Sequence, residues 1–525
     1  MPTLEWIGKD KVINHHLEVP FRVLDRKYSY DETGQHAEDN GSENMIIKGD
    51  NLEALKALLP RYEGKIKCIY IDPPYNTGNE KWVYNDNVND PKIKKWLGEV
   101  VGPEGEDLSR HDKWLCMMYP RLKLLQRLLA DNGVIFISID DYEQNNLRFL
   151  CDEIFGQRNF IAQIVWQKRT SPDARKLMSN GHEYILLYGK MSDDLEKLLN
   201  RVALDDADAR KYRNPDNDPR GPWVSVDFTA QGYRPNQMYE IETPSGNKLK
   251  PPAGRCWKNL EEVFLKYKEE GRLWFGSDGA GVPRQKNYLS EKEGKTSWTW
   301  WPNTEVGHTQ EGTQDLAVIF GEKAIFDYPK PVRLIQRILQ ISTHTDSLIL
   351  DSFAGTGTTA HAVLSMNQKD GGQRKFILVE MMNYADSITA ERVKRVIKGY
   401  SDKPGTGGNF SFYELGEPLL VGENLNESVG VEKIREYVWF METKQPFSEP
   451  QNPDNVAYLG NFADTAYYFH YEKERATTLD HDFLSTIQNS APGFVIYADL
   501  NTLSEEELKE FSITFKKIPR DIAKL

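Results

Sequence analysis

Short apolar runs alternate with helix-spaced leucines in two separate stretches of the chain. In the first stretch, runs at 45–47 and 66–71 flank leucines that recur at helical spacing. In the second, runs at 347–350 and 376–380 flank a glycine-rich turn and a helix that begins near Thr358. This alternation predicts an α/β fold with a mostly parallel sheet and helices on both of its faces.

The segment between these stretches lacks that alternation. Residues 166–325 are rich in proline and glycine and hold 7 of the 12 tryptophans, so basic side chains there have aromatic neighbours. Such a composition permits nucleic-acid binding. We interpret 166–325 as an inserted domain between two halves of one catalytic domain, at 45–165 and 326–400. Residues 1–44, which end in the polar stretch 31–44, are interpreted as an N-terminal extension.

Residues 401–525 combine helix and strand patterns with a strong acidic charge. Apolar residues from Val431 to Phe440 lie near helical spacing, and the runs at 457–459 and 494–497 predict strands. The region holds 11 Lys and Arg against 21 Asp and Glu, a balance of -10 out of -13 for the whole chain. Because this charge repels DNA phosphates, we interpret the region as a C-terminal α+β segment that contacts protein.

Composition and spacing exclude several classes of protein. The mean hydropathy is -0.62, and no apolar run approaches the roughly 18 residues that a membrane helix needs. The N-terminus lacks the basic and apolar regions of a signal peptide. The four cysteines show no C-x-x-C spacing, which argues against a disulfide framework and a zinc site. We therefore expect a cytoplasmic protein with no membrane partner and no metal.

A glycine-rich turn, DSFAGTGTTA at 351–360, follows a predicted strand and opens a predicted helix. Its glycines allow the backbone to approach a ligand, and the helix start offers free N–H groups. Taken alone, the turn also fits a dinucleotide-binding fingerprint, with Glu380 as the acid that binds a ribose. A tight turn without a ligand is the other interpretation.

The tetrapeptide Asp72-Pro73-Pro74-Tyr75 stands at the carboxyl end of the predicted strand 66–71. The two prolines make it rigid, so the Asp72 carboxylate and the Pro73 carbonyl can form a fixed pair of hydrogen-bond acceptors. Tyr75 supplies a flat stacking face. This arrangement suits a planar NH2 group on an aromatic ring, although a solvated loop could carry the same four residues.

Together the two motifs resemble those of DNA amino-methyltransferases, which bind S-adenosylmethionine at a turn like 353–357 and the target amino group at a sequence like 72–75. The catalytic motif precedes the cofactor motif here, which resembles the β-group of these enzymes. The resemblance covers about residues 45–400. It includes three further segments, DPPYNTG at 72–78, HEYILLY at 182–188 and FDYPKP at 326–331. The stretch FSFYELG at 410–416 resembles the modification subunits of type III restriction–modification systems.

The resemblance implies a Rossmann-like methyltransferase fold and a set of site residues. The catalytic residues that it implies are Asp72, Pro73, Pro74 and Tyr75. The cofactor-binding residues that it implies are Asp50, Asp72, Lys330, Pro331, Asp351, Phe353, Ala354, Gly355, Gly357, Thr358 and Glu380. Glu380 would bind the ribose hydroxyls and Asp50 would lie near the adenine, although Asp50 also fits a helix N-cap. Lys330 and Pro331 would close over the cofactor, unless Pro331 only starts a helix.

The implied function is transfer of a methyl group from S-adenosylmethionine to the N6 amino group of a flipped adenine in double-stranded DNA. The implied partners are a second copy of the chain and a restriction subunit with helicase and nuclease activity, and the inserted domain 166–325 would recognise the DNA sequence. Methylation of cytosine N4 is one alternative, although the family favours Ser at the position of Asp72 for that base. An oxidoreductase that uses only the glycine-rich turn, and a DNA-recognition subunit without turnover, are the others.

Overall fold

An eleven-stranded sheet is the main element of the structure. The computed structural model describes residues 4–77, 110–191, 198–323, 325–445, 447–450 and 455–520. Numbered in chain order, the strands of this sheet are β1 (Arg22–Asp31), β2 (Gly34–His36), β3 (Met45–Lys48), β4 (Ile66–Ile71), β5 (Leu129–Ile139), β6 (Phe160–Gln167), β7 (His182–Gly189), β8 (Trp300–Trp301), β9 (Leu348–Asp351), β10 (Lys375–Glu380) and β11 (Asn409–Pro418).

The strands follow the order β8-β6-β7-β5-β4-β9-β10-β3-β11-β1-β2 across the sheet. The six neighbours from β5 to β11 in this order pair in parallel, while β7 and β1 pair with them in the antiparallel direction. The sheet confirms the predicted α/β class. The chain runs outward in one direction from β4 to β5 and in the other from β9 to β10, so the topology switches between β4 and β9. Open α/β sheets bind their ligands at such a point.

Helices pack on both faces of the sheet. Successive side chains of β4 point to opposite faces and nearly all of them are buried, so both faces must be covered. Ile69 and Ile71 belong to the core that also contains the apolar side chains of the helix Arg110–Leu128. On the other face, the Ser342 hydroxyl lies 3.3 Å from Cys68 Sγ. Residues 1–200 and 298–525 form one large compact unit. The α-helices described in it are Lys9–Val12, His15–Glu18, Asn51–Tyr62, Arg110–Leu128, Gln144–Cys151, Asn303–Val306, Thr309–Phe320, Val332–Ser342, Thr358–Asp370, Glu391–Lys398, Val431–Thr443, His481–Ser485 and Glu505–Glu510. In the described part of the chain, no helix has the length and apolar character needed to span a membrane.

The insertion is narrower than the sequence predicted. A separate compact unit covers 201–297, and the flanking residues lie with the large unit. The reason is that residues 160–167 and 182–189 form β6 and β7, whose apolar side chains extend the large sheet. The small unit has its own core, which includes Phe228, Trp257 and Phe264. Its elements are the helices Asp206–Ala209 and Glu261–Glu269 and the strands Trp223–Asp227, Thr229–Gln231, Ile241–Glu242, Lys248–Leu249, Arg255–Trp257, Leu273–Trp274 and Arg284–Tyr288.

Both outer segments of the chain also differ from the sequence interpretation, because each contributes strands to the large sheet. Residues 1–44 supply β1 and β2, and the first part of 401–525 supplies β11, which pairs with β3 and β1. Stacking of Tyr28 on Phe412, with ring centres 5.0 Å apart, supports the β1–β11 pairing. Neither segment is therefore a simple appendage of the catalytic domain.

The rest of the C-terminal region confirms the predicted helix and strands. The helix Val431–Thr443 contacts the helix Asn51–Tyr62, with Glu436 Oε1 2.6 Å from Arg61 Nε. A four-stranded sheet follows, with strands Tyr458–Phe462, Thr465–Phe469, Gly493–Ala498 and Ile513–Lys517. This region is an α+β segment, as the sequence predicted.

Candidate active site

The switch point brings the two sequence motifs to one edge of the sheet. β4 and β9 pair in parallel with Leu350 opposite Ile69, so the loops that follow Ile71 and Asp351 begin side by side. A cavity of about 650 Å³ opens there, within the usual range for a ligand pocket. Its lining includes residues of the tetrapeptide, of the glycine-rich turn and of the segment 326–330. Both motifs therefore face one cavity.

The loop after β4 is held in place by contacts outside the tetrapeptide. The indole N–H of Trp114, which is buried in the helix Arg110–Leu128, donates to the Pro74 carbonyl at 2.6 Å. Asn76 has a φ of 57°, and its amide donates to Glu143 and to the Arg110 carbonyl. These contacts fix the direction in which Asp72 leaves the strand.

The Asp72 carboxylate is hydrogen-bonded on both of its oxygens. The Tyr75 hydroxyl lies 2.7 Å from Oδ1, and the Lys330 ammonium donates to Oδ2 at 2.6 Å. Lys330 also donates to the Tyr75 hydroxyl at 3.0 Å. The resemblance implies Lys330 at the cofactor, and its ammonium group lies on the tetrapeptide, in the cavity that the glycine-rich turn also lines.

Glu183, in β7, is a member of this cluster for which the sequence indicated no role. Its Oε2 lies 3.1 Å from the Tyr75 hydroxyl and 3.6 Å from Lys330 Nζ, while Oε1 accepts from Lys168 at 3.0 Å. Two carboxylates and two ammonium groups thus balance each other in a buried cluster. One sequence signal could have identified it, namely an acidic residue that stands next to the apolar run YILLY of a buried strand.

Burial and charge act against each other on these groups. Burial raises the pKa of the Asp72 carboxyl, and the neighbouring Lys330 reduces that rise. Burial would also raise the pKa of Glu183, but the ammonium groups of Lys330 and Lys168 outweigh it and hold that pKa below its ordinary value. Burial would lower the pKa of Lys330, but Asp72 and Glu183 raise it above its ordinary value. Lys330 and Glu183 are therefore both charged at neutral pH.

The glycine-rich turn needs its glycines for conformation as well as for space. Gly355 and Gly357 have φ angles of 52° and 77°, a region that other residues rarely adopt. A Cβ atom on Gly357 would also lie 3.1 Å from the Thr389 carbonyl oxygen. Asp351 braces the turn, since its carboxylate accepts from the Phe353 N–H at 3.1 Å and from the Thr359 hydroxyl at 2.5 Å.

Glu380 ends β10, the strand beside β9, and connects the two strand ends. Its carboxyl oxygens accept from the N–H groups of Gly355 at 2.9 Å and Met382 at 3.0 Å. Burial raises the pKa of Glu380 to about 8 and that of Asp351 to about 7. Burial therefore favours the neutral form of each carboxyl, and a positive or hydrogen-donating ligand would favour the charged form.

Most of the residues implied by the resemblance meet at this cavity. Its lining includes Asp72, Pro73, Pro74, Tyr75, Lys330, Asp351, Phe353, Ala354, Gly355 and Thr358. Glu380 lines a small adjoining cleft instead, together with Asn51 and Phe353.

Three further implied residues have other positions in the structure. Asp50 caps the helix Asn51–Tyr62 by accepting from the Leu52 and Glu53 N–H groups, as the alternative interpretation had it. Pro331 precedes the helix Val332–Ser342 as its N-cap residue. Gly357 forms the N-cap of the helix Thr358–Asp370 and, like Asp50 and Pro331, is not part of the cavity lining. Gly78, the last residue of the DPPYNTG match, lies outside the described residues.

Comparison with known proteins agrees with this geometry. The family model described as DNA methylase matches residues 66–441, so the chain belongs to the DNA methylase family. The type III restriction–modification enzyme StyLTI Mod subunit of Salmonella typhimurium is 33% identical over 78% of this chain and 65% of its own length. The EcoPI Mod subunit of Escherichia phage P1 is 34% identical, over 75% and 68% respectively. The type II methyltransferase M.KpnI of Klebsiella pneumoniae is 34% identical, over 67% and 84%. The chain thus spans about two thirds of the length of these type III relatives.

Enzymes of this family take the methyl group from S-adenosylmethionine, and the residues present fit that cofactor. It carries a sulfonium, an ammonium and two ribose hydroxyls. The buried Asp351 carboxyl in the cavity and the Glu380 carboxyl beside it are acceptors of the kind that these groups need. Gly355 keeps the turn free of a side chain between the two acids.

Gly355→Val is expected to abolish S-adenosylmethionine binding, because the new side chain fills space in the cavity that Gly355 lines. Gly371→Val is the matched control. Gly371 follows the helix Thr358–Asp370, which begins at the glycine-rich turn. It has a φ of 70° and open space around it, so this variant carries similar conformational strain outside the cavity. Calorimetry should show at least a 100-fold loss of affinity for the first variant and wild-type affinity for the second. Equal affinities would exclude the turn from the cofactor site.

Proposed function

We propose that the chain transfers a methyl group from S-adenosylmethionine to the N6 amino group of an adenine that is flipped out of duplex DNA. The observation that carries this proposal is the meeting of Asp72 and Asp351 in one cavity at the topological switch point. One acid belongs to the motif for the target amino group and the other to the motif for the cofactor. The methyl group and the nitrogen that accepts it can then be held side by side. Such positioning turns a reaction between two separate molecules into one within a single complex, which lowers the barrier.

The tetrapeptide solves the problem that an adenine amino nitrogen is a poor nucleophile. Its lone pair is delocalised into the ring, and in a duplex its hydrogens are paired. Asp72 and the Pro73 carbonyl accept both amino hydrogens, which frees the lone pair, and Tyr75 stacks on the ring. Flipping costs a few kcal/mol, which this stacking partly offsets. S-adenosylmethionine, when bound, supplies a methyl group that is activated by the positive sulfur.

Lys330 and Glu183 control the charge of Asp72 in this scheme. The amino nitrogen becomes positive as it accepts the methyl group, and an ammonium bound to Asp72 opposes that change. Glu183 Oε2 lies 3.6 Å from Lys330 Nζ and offers it a second carboxylate. When the target amino group reaches Asp72, Lys330 moves onto Glu183 and leaves Asp72 Oδ2 for the substrate. Glu183 is thus a positioning residue.

The choice of adenine and the membership of a type III system are part of the proposal. Asp72 favours adenine, because the family uses Ser at this position for cytosine N4. The relatives named as type III Mod subunits support a modification subunit that works with a restriction subunit in the cytoplasm. The acidic region after β11 is the proposed contact for that subunit or for a second copy of the chain. Light scattering of the full chain tests the homodimer.

Asp72→Asn is expected to reduce methyl transfer by at least 100-fold while S-adenosylmethionine affinity stays within about threefold of wild type. The amide is nearly isosteric with the carboxylate but lacks the charge that offsets the positive nitrogen. Mass spectrometry of nucleosides from treated DNA measures both the rate and the product. Asp346→Asn, at an exposed position before β9, is the control.

Two outcomes would contradict the proposal on function. Turnover of the Asp72→Asn variant within about tenfold of wild type would remove the carboxylate from the reaction. If the wild-type product were N4-methylcytosine, the proposed target base would be wrong, while the proposed site for the amino group would remain supported.

Glu183→Gln is expected to slow methyl transfer by about 10- to 100-fold and to move the acid limb of the pH–rate profile to lower pH. The Glu183 charge raises the pKa of Asp72, so without it Asp72 stays ionised to a lower pH. Single-turnover rates between pH 4 and 8 measure both effects. Glu432→Gln, which removes an exposed carboxylate from the helix Val431–Thr443, should change neither. A slower variant with an unshifted acid limb would mean that Glu183 has only a structural role.

Exchange of residues 201–297 for the corresponding unit of a relative should change the methylated DNA sequence and leave adenine as the modified base. The exchange is feasible because this unit has a separate core. Single-molecule sequencing of DNA from cells that express the chimera identifies both the methylated DNA sequence and the modified base. A folded chimera that keeps the parental sequence would place recognition outside this unit.

A further inference from the structure

The loop between β6 and β7 carries two apolar side chains that nothing in the large unit covers. Leu177 is 105% exposed and Met178 is 89% exposed, the highest values among the large apolar side chains of the described residues. A single exposed leucine would be unremarkable, because folded proteins expose much apolar surface. Here two such residues are adjacent, and they stand on a loop that borders the cavity of the proposed active site.

The loop has a defined shape that presents these side chains outward. The Asp173 carboxylate accepts from the Arg175 backbone N–H at 3.1 Å and from its guanidinium at 2.9 Å. The Asp173 N–H in turn donates to the Ser179 hydroxyl at 2.8 Å. At the base of the loop, the Asn303 amide donates to the Arg169 carbonyl at 3.0 Å. Residues 174–178 therefore form the tip of a braced turn.

The charge of the loop is opposite to that of the chain. Residues 168–178 contain four basic side chains, Lys168, Arg169, Arg175 and Lys176, and one acid, Asp173, in a protein with a net charge of -13. The side chain of Arg175 is 89% exposed. A local excess of positive charge next to exposed apolar groups fits a polyanion with an apolar interior, and duplex DNA is such a partner.

The loop is also continuous with the proposed active site. Residues 168–173 and Arg175 line the same cavity as Asp72 and Tyr75. Lys168, at the base of the loop, donates to Glu183 at 3.0 Å. A duplex whose target base occupies this cavity therefore passes the loop at the point where the base leaves the stack.

We propose that the tip of this loop enters the duplex beside the flipped base, with Leu177 and Met178 in the gap that the base leaves and with Arg175 and Lys176 on the adjoining phosphates. The inference rests on the proposed function. Flipping leaves an apolar gap between the neighbouring base pairs. Leucine and methionine are among the apolar side chains that other DNA-binding proteins insert between base steps, and the same chemistry suits this gap. The two side chains stabilise the flipped state without contacting the reacting atoms.

The double variant Leu177→Ala/Met178→Ala tests the apolar part of the proposal. The substrate is a duplex that contains the site mapped by single-molecule sequencing, with the target adenine either paired or mismatched. A mismatched base costs less to extrude. The single-turnover rate of the variant should fall at least tenfold on the paired duplex and stay within about threefold of wild type on the mismatched one. With 2-aminopurine at the target position, the fluorescence rise on binding should fall in parallel.

Val421→Ala, which shortens a 61% exposed apolar side chain of the C-terminal region, is the control and should behave as wild type on both duplexes. An unchanged rate of the double variant on the paired duplex would overturn the proposal. An equal loss on both duplexes would also overturn it, because the side chains would then act on binding or folding rather than on extrusion. A wild-type chain that methylates neither duplex would contradict the proposed function itself.

The charged part of the proposal has its own measurement. Arg175→Gln/Lys176→Gln should weaken binding to paired and mismatched duplexes alike and reduce the slope of log affinity against log salt by about 1 to 2. An unchanged slope would remove these two residues from the DNA contact.

Discussion

Parallel hydrogen bonds between β4 and β9 join two parts of the chain that an inserted unit separates. Each strand ends in a motif that forms only part of the site: the tetrapeptide after β4 and the glycine-rich turn after β9. Only the register of this pairing gives the two motifs a common cavity. A shift by one residue would turn every side chain of β9 to the opposite face of the sheet, so the buried apolar pattern of both strands also fixes the geometry of the site.

The buried charge cluster depends on the same arrangement. Asp72 comes from β4, Glu183 from β7, and Lys330 from the segment before the helix Val332–Ser342, so three distant parts of the chain supply one balanced set. Removal of one member of such a set leaves an unpaired buried charge, which is costly. Lys330 Nζ lies 2.6 Å from Asp72 Oδ2 and 3.6 Å from Glu183 Oε2, so the two carboxylates share one buried ammonium group.

Local sequence was sufficient for the parts of the site that short segments encode. Asp72 follows a buried strand and Gly355 precedes a helix, and both positions can be seen from apolar runs and from prolines or glycines. Contacts between distant segments were not encoded in that way. Nothing near Lys330 indicated that its ammonium group would reach Asp72. The mixed polar and apolar sequence of Arg22–Asp31 concealed β1, because a strand in the outer part of a sheet needs only part of its surface to be apolar.

The boundaries of the insertion also depend on contacts between distant segments, which local sequence does not predict. Residues 182–189 contain the buried strand β7, but the apolar run alone could not tell which sheet it joins. Its antiparallel pairing with β5 is a tertiary contact that depends on the conformation of the chain between them. The sequence therefore indicated that an insertion exists, and the structure was needed to find that its compact unit covers only 201–297.

The position of β3 has a consequence for the synthesis of the protein. This strand of four residues, Met45–Lys48, lies between β10 and β11, which are translated more than 300 residues later. At about 5 to 20 residues per second, the apolar side chains of β3 wait on the order of tens of seconds for both neighbours. The nascent chain must be protected from aggregation during that interval, and contacts of such long range make folding slow. A ribosome-bound fragment that ends before β11 therefore lacks one of the two neighbours of β3 and has no complete sheet.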